Sequence, residues 1–440
     1  MARPPKRPSD AAGGRPRIAL ALVLAVFATL VAACGGESAK PVLTWYINPD
    51  PTPPADFEGA FGQAGIAERC STDQYDIETQ LLPTSASEQR IQLLRRLAAE
   101  DPSIDLMSLD PVFTAEFAAA DFLLPIPEDV ASSVTEGTLQ GAIEGATWDD
   151  ELVVAPLWAN TQVLWYRKSL AEAAGLDMTQ PVTWDQIIDA ASAEGGTVGV
   201  QANKYEGYVV WINALVQGAG GDIVSDTEEG SSASIDIDSE AGVEAARVVQ
   251  KLAESQAAQA DLSVSNEGTV LTPFGEDPGG FQVNWTFVYN NYAADEELLE
   301  DIGWTSYPQS VEGEESRPPI GGINIGVGAS TDEPEFATQA LECITSEEEQ
   351  VQYAIETANM PAKEGAYDAA DLRDQFPADL LELFRTSIDS AGPRPASPYW
   401  ATIVNAMLSR WHPASSVDPQ STPKRSAEFI GDALSGEALL

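Results

Sequence analysis

The chain has 440 residues, with 23 Lys and Arg against 69 Asp and Glu, a single His, three Cys and ten Trp. A formal charge of -46 argues strongly against a phosphate-backbone partner, which needs a basic face. With His412 alone, His-rich metal sites are disfavoured, and a Ser-His-Asp triad would hang on one residue in a Pro-flanked tail.

In chain order, Arg3, Lys6, Arg7, Arg15 and Arg17 form a positive head, followed by the apolar run Ile18 to Ala33 and then Cys34. The run is short for a membrane span and ends in small residues, as a secretory signal does. Val31-Ala32-Ala33-Cys34 resembles a bacterial lipobox, so residues 1–33 read as a signal peptide and Cys34 as the lipidated first residue of the mature chain. Residues 34–41 then form a lipidated tether. Removing residues 1–33 leaves 18 basic residues against 68 acidic ones, a charge of -50. Cys70 and Cys343 remain, in an oxidising compartment, as a disulfide or as two separate buried thiols.

The mature chain alternates short apolar runs with helical stretches. Strands are predicted at Val42–Ile47, Tyr75–Leu82 and Ile104–Leu109, with helical spacing over Ala55–Arg69 between the first two. Ser85-Ala86-Ser87-Glu88 reads as a capping box opening a helix to Ala99. A hairpin-like passage over Trp148–Leu157 precedes a strand at Thr161–Tyr166, and Thr183-Trp184-Asp185-Gln186 caps another helix. Helices follow at Glu206–Gln217 and Glu240–Ala253, with the polar run Ser225–Ser234 as a loop between them. Later strands fall at Phe281–Trp285, Ile302–Ser306 and Ile323–Val327, and the last hundred residues are mainly helical. This β-α-β-α order predicts an α/β fold. About 400 residues exceed one core, so two lobes with a cleft at the chain crossings are expected.

Candidate binding residues follow from that expectation. Asp110 ends the third strand, where ligands of open α/β sheets sit, and it can also cap the helix Val112–Ala120. Asn160 follows the Pro156-Leu157-Trp158 turn with an amide that both donates and accepts. Trp285 closes a strand with a flat face suited to stacking on a sugar ring, although most Trp residues are core. Gly322, in Gly321-Gly322, would let backbone approach a ligand. Arg394 lies between Pro393 and Pro395 as a fixed fork for a polar contact or a surface salt bridge. Asp149-Asp150-Glu151 and Glu347-Glu348-Glu349 read as solvated faces rather than metal ligands, and Gly326-Val327-Gly328 is too short for a nucleotide loop. No cofactor or metal is expected.

The lipobox, the strand ending in Asp110, Pro156…Asn160…Leu164-Trp165-Tyr166-Arg167-Lys168, Tyr205-Glu206-Gly207, Asn284-Trp285, Gly321-Gly322 and Arg394-Pro395 recur in this order in a known family. The series resembles the extracellular solute-binding proteins of ABC sugar importers, in the maltose- and trehalose/maltose-binding group. That resemblance implies a two-lobed periplasmic-binding-protein-like fold (type II) with a hinge of several chain crossings and a ligand cleft between the lobes. It implies lobe one at 42–157 plus 308–362 and lobe two at 158–307 plus 363–440. It implies no catalysis, and a disaccharide ligand with trehalose as first candidate. The ligand would pass to the subunits of an ABC permease, and through them be coupled to an ATPase, from a monomer lipid-anchored at the outer face of the bacterial cell membrane. By the same match Asp110, Asn160, Trp285, Gly322 and Arg394 would contact the sugar, joined by Asn48 and Ser85. Cys70 and Cys343 would share lobe one, which favours a disulfide. The alternative is an exported glycoside hydrolase working through two carboxylates.

Overall fold

The computed structural model describes residues 40–55 and 57–438, so the signal-like segment, Cys34 and most of the tether lie outside the described residues. The strands in chain order are β1 (Val42–Ile47), β2 (Asp76–Leu81), β3 (Leu106–Leu109), β4 (Thr147–Trp148), β5 (Glu151–Leu152) and β6 (Ala155–Arg167). They continue as β7 (Thr197–Gly199), β8 (Val224–Ser225), β9 (Ser234–Ile235), β10 (Gly280–Trp285), β11 (Ile302–Thr305) and β12 (Ile320–Val327).

Strand β1 shows why this chain builds an α/β layer. Leu43, Trp45 and Ile47 bury one face against the helices Gln63–Cys70 and Pro334–Ile344, while Tyr46 packs into a different cluster on the other face. A strand covered on both faces needs near-continuous apolar sequence, and its neighbours β2 and β3 pair with it in parallel. The main sheet runs β2-β1-β3-β12-β6-β10-β7, with β11 also paired to β6.

The 13-residue β6 organises the molecule. Its first half, from Ala155 to Thr161, pairs antiparallel with β12. Its second half, from Gln162 to Arg167, pairs antiparallel with β10 and β11. One strand thus belongs to both ends of the sheet, and each end carries its own helices: the two-lobed α/β fold expected from the sequence. The second lobe has a core rich in indoles, in which the wholly buried Trp184 lies 5.5 Å from Trp211 and 5.8 Å from Tyr307. The helix Glu206–Gln217 is buried along almost its whole length, which its sequence Tyr-Val-Val-Trp-Ile already requires.

Four local expectations need correction. The helix expected over Ala55–Arg69 begins only at Gln63, because Gly59 and Gly62 take φ values of 101° and 61°, which interrupt helical backbone before it. Pro156-Leu157-Trp158 is not a turn but part of β6; the register slips opposite Ile323 and Asn324, and that irregularity accommodates Pro156. Ser85 does stand at the helix N-cap, yet its hydroxyl makes no capping bond, and the Glu88 amide donates to the Ser85 carbonyl instead. The polar run Ser225–Ser234 is a short hairpin, β8 with β9, enclosing a 3-10 turn. Thr183 forms the full capping box with Gln186.

Of the two alternatives for the cysteines, the bonded one is present. Cys70 and Cys343 form a disulfide that joins the end of Gln63–Cys70 to Pro334–Ile344 across 273 residues of sequence. Closing so long a loop restricts the unfolded chain strongly. Replacing Cys343 by Ser is expected to cost about 2–4 kcal/mol. The denaturant midpoint of the oxidised wild type should therefore exceed that of the Cys343→Ser protein, and equal midpoints would contradict the bond.

Candidate functional site

The cavity that matters lies where β6 changes partners. Its volume is about 330 Å³, and Asn48, Ser85, Asp110, Asn160, Trp285, Gly322 and Arg394 all line it. These seven residues come from seven separate stretches of chain, so only the fold brings them together.

Strand β3 delivers Asp110 to its carboxyl end. Asp110 Oδ1 accepts from the Val112 amide at 3.1 Å, capping the 3-10 turn Pro111–Phe113, and from Arg394 Nη2 at 2.8 Å. The capping reading of Asp110 holds, and the same oxygen also pairs with Arg394. Arg394 is only 8% exposed, and it is neither a surface ion pair nor a free fork. Its Nη1 donates to Glu206 Oε1 at 3.0 Å and its Nη2 also faces the Ile320 carbonyl at 3.5 Å. Trp400 Nε1 donates to the same Glu206 oxygen at 3.3 Å.

Two carboxylates around one guanidinium leave an excess negative charge in a dry place. Burial pushes the Glu206 carboxyl above its ordinary value; Arg394 opposes this, and nearby Asp110 adds to it. Burial alone would weaken the Arg394 proton, but Asp110 and Glu206 hold it more tightly than usual. Glu267, another lining residue, is also raised by burial, and it stands beside Tyr205. The Tyr205 phenol is raised in turn by burial and by the neighbouring Glu267 carboxylate.

Asn160 is held by its oxygen, which accepts from the Thr161 amide at 2.9 Å and the Thr286 amide at 3.4 Å. Its NH2 group then remains uncommitted among the described residues. Asn48 Oδ1 and Trp158 Nε1 are buried without a partner among the described residues, and both residues line the cavity. Each such atom left unmet costs about 1–3 kcal/mol, so a hydroxyl-bearing solute would find ready partners.

The floor is the Gly321-Gly322 step of β12, opposite Asn160 and Ala159. Gly322 has φ 141°, and a Cβ there would lie 2.2 Å from the Trp158 carbonyl, so the close approach of β12 to β6 requires glycine. At Gly321 a Cβ would come within 3.1 Å of the Trp285 ring. The Trp285 indole is half-buried, unlike the six wholly buried indoles of the core, and it faces the cavity with Phe287 and Trp158 nearby.

Sequence reasoning missed Trp158, Tyr205, Glu206, Glu267, Phe287 and Asn359 as lining residues. Glu206 carried a signal, since a lone carboxylate heads an otherwise apolar helix. Trp158 was hidden by reading its segment as a turn. A second cavity of about 370 Å³ shares the wall Trp158, Gly321 and Arg394, but Glu144, Asp222, Asp226 and Glu228 line its far side and Asn48, Ser85, Asn160 and Trp285 do not reach it. Among the described residues no group of three or more His, Cys, Asp or Glu is arranged to hold a metal ion.

Comparison with known proteins points the same way. Residues 58–351, about two thirds of the chain, match the family model for bacterial extracellular solute-binding proteins. A probable ABC transporter-binding protein of Deinococcus radiodurans is 22% identical over 322 residues, covering 69% of this chain and 73% of the relative. The maltose-bound MalE3 of T. maritima superposes with TM-score 0.74 at 22% identity, covering 90% of this chain and 100% of the other. The GacH receptor of Streptomyces glaucescens, solved unliganded and with acarbose, superposes with TM-score 0.70 at 18% identity, over 90% and 97% of the two chains.

The ion-paired cluster makes two testable statements. Arg394→Met strands Asp110 and Glu206 without their cation and is expected to destabilise the fold by about 3–5 kcal/mol, read from denaturant midpoints. Because the folded-state Glu206 carboxyl lies above its ordinary value of 4.5, its contribution is most favourable below that pH. Wild type should lose stability relative to Glu206→Gln as pH rises from about 4.5 through the raised folded-state value. A difference independent of pH would contradict the assignment.

Proposed function

The chain belongs to the bacterial extracellular solute-binding protein family, and we propose that it captures a disaccharide, trehalose, for an ABC sugar importer. The observation that carries this reading is the shared cavity at the β6 crossover, into which seven residues from seven chain segments converge. Its chemistry suits an uncharged, hydroxyl-rich ring. Trp285, Phe287 and Trp158 offer flat apolar faces, while Asn48, Asn160 and Ser85 offer polar groups around them. The ordered motif series also resembles that of the mycobacterial trehalose-binding lipoprotein LpqY, which supports trehalose over maltose.

In this reading lobe one comprises 42–157 with 308–362, and lobe two comprises 158–307 with 363–440. Asp110, Asn48 and Ser85 then meet the sugar from one side, and Trp285 and Arg394 from the other. A ligand that touches both sides only when they are together favours closure by that difference in contact. The closed form would be handed to the permease. Cys34 would carry the lipid that holds a monomeric protein at the outer face of the cell membrane, with residues 34–41 as tether.

Hydrolysis would ask one carboxyl to act as acid and another as base or nucleophile. Here Asp110 and Glu206 are both paired with Arg394, which supports binding over hydrolysis in this reading. A chain starting after Cys34 should bind trehalose in calorimetry and release it intact after prolonged incubation. Trp285→Ala should weaken binding at least tenfold, about 1.4 kcal/mol or more. Silence toward trehalose, maltose and other disaccharides at millimolar concentration would overturn the proposal, as would recovery of monosaccharides.

A further inference from the structure

Behind the wall formed by Asn48, Trp158 and Asn359 lies a largely buried polar network whose central residues do not line the cavity. Its centre is Asp50, in the Pro-rich segment after β1. Asp50 Oδ2 accepts from the Gln63 amide at 2.7 Å, and Asp50 Oδ1 accepts from Gln63 Nε2 at 3.0 Å and from the Tyr353 hydroxyl at 2.7 Å. Two arms leave this centre, and each ends on the cavity.

Gln63 makes the first arm. Its side chain is wholly buried, and its Nε2 also donates to the Asn48 carbonyl at 3.0 Å. Its Oε1 accepts from Ser108 Oγ at 2.5 Å, and Ser108 accepts from Trp45 Nε1 at 3.1 Å, so the amide orientation is fixed from both ends. Tyr353 makes the second arm. Its hydroxyl accepts from Asn359 Nδ2 at 3.4 Å, and its ring stacks on Trp158 with centroids 6.4 Å apart and planes 26° apart. Asn48, Trp158 and Asn359 all line the cavity, whereas Asp50, Gln63 and Tyr353 do not.

The network is built for this place. Gly62 has φ 61°, and a Cβ on it would fall 2.3 Å from Asp50 Oδ2, so only glycine lets the carboxylate reach the start of the helix Gln63–Cys70. The Gly62 amide meanwhile donates to Glu356 Oε2 at 2.6 Å. At its other end the helix is tied by the Cys70–Cys343 disulfide and by Arg69 to Glu349 at 2.7 Å. Burial raises the Asp50 carboxyl, against the hydrogen bonds from Tyr353 and Gln63 that lower it.

We propose that Asp50 is a positioning residue that, through Gln63 and Tyr353, sets the placement of Asn48, Trp158 and Asn359 and so the selectivity of the cavity. The inference rests on the sugar-binding reading for its functional consequence, and on geometry alone for the placement. A half-buried carboxylate that accepts three hydrogen bonds ties three lining residues to one point. Losing it would loosen all three without touching a ligand, and discrimination between similar hydroxyl patterns depends on such fixed partners.

The test uses Asp50→Asn, which keeps the shape but turns an acceptor into a donor facing donors, and Tyr353→Phe, which keeps the Trp158 stack and removes only the hydroxyl. Lys363→Met serves as control, because Lys363 is buried and donates to the carbonyls of Ser133, Val134 and Glu136 away from the cavity. In the sugar-free proteins, amide exchange over residues 46–50 and 357–361 should quicken at least tenfold in both Asp50→Asn and Tyr353→Phe, and not in the control. In calorimetry, trehalose affinity should fall at least tenfold, and the trehalose-to-maltose affinity ratio should change at least threefold, a readout that general destabilisation does not move. If wild type binds neither sugar while exchange responds as expected, the placement stands and the sugar reading fails. Unchanged exchange, or unchanged affinity and ratio in both variants of a wild type that binds, would overturn the proposal.

Discussion

The site depends on one buried guanidinium. Arg394 draws together the end of β3 through Asp110, the head of the helix Glu206–Gln217 through Glu206, and the start of β12 through the Ile320 carbonyl. Pro393 and Pro395 fix the backbone that carries it, so the fork has little freedom left to lose. A buried ion cluster of this kind is poor evidence for added stability, since desolvation offsets most of the attraction. Its value is geometric: three distant chain segments are locked in one relation, and that relation defines the cavity wall.

The second constraint is topological. A strand long enough to pair with β12 along one half and with β10 and β11 along the other must pass from one lobe to the other. At the switch Trp158 and Asn160 therefore line the cavity, while Ala159 between them is buried in the core. Ligands of open α/β sheets gather at such places because strand ends there leave backbone and side-chain groups without neighbours. The Gly321-Gly322 step lets the two strands approach closely and makes room for the Trp285 ring, so the floor is flat where a bulkier pair of residues would fill it.

Much of this was legible in the sequence, and the reasons are specific. Period-two and both-face apolar runs located β1, β3, β10 and β12, since burial on both faces admits little else. Asp110 could be named because an acidic residue directly after an apolar strand marks the strand end. Trp285, Gly322 and Arg394 each had a plain structural explanation as well, and it was their order along the chain that set them apart. What could not be read was partnership. Nothing in the sequence says that Arg394 would spend itself on Asp110 and Glu206, which lie 284 and 188 residues away. Trp158 was lost because Pro156 suggests a turn; only the irregular pairing with β12 explains how a proline fits within a long strand. Ser85 kept its place at a helix start, but its backbone carbonyl took over the capping contact.

The charge of the cavity also sharpens the proposed choice of solute. Asp110, Glu206 and Glu267 face one cation among the lining residues, in a protein already strongly acidic overall. An anionic solute such as a phosphorylated sugar would meet repulsion from the body at a distance and from these carboxyls at close range, with Arg394 already committed. A neutral polyol meets neither penalty. Its hydroxyls can donate to carboxylate and amide oxygens and accept from amide and indole N–H groups, and its ring faces can lie on indole. On the proposed reading, an acidic cavity whose one arginine is ion-paired twice would select by the absence of charge as much as by shape, leaving recognition of individual hydroxyls to the neutral groups of the wall.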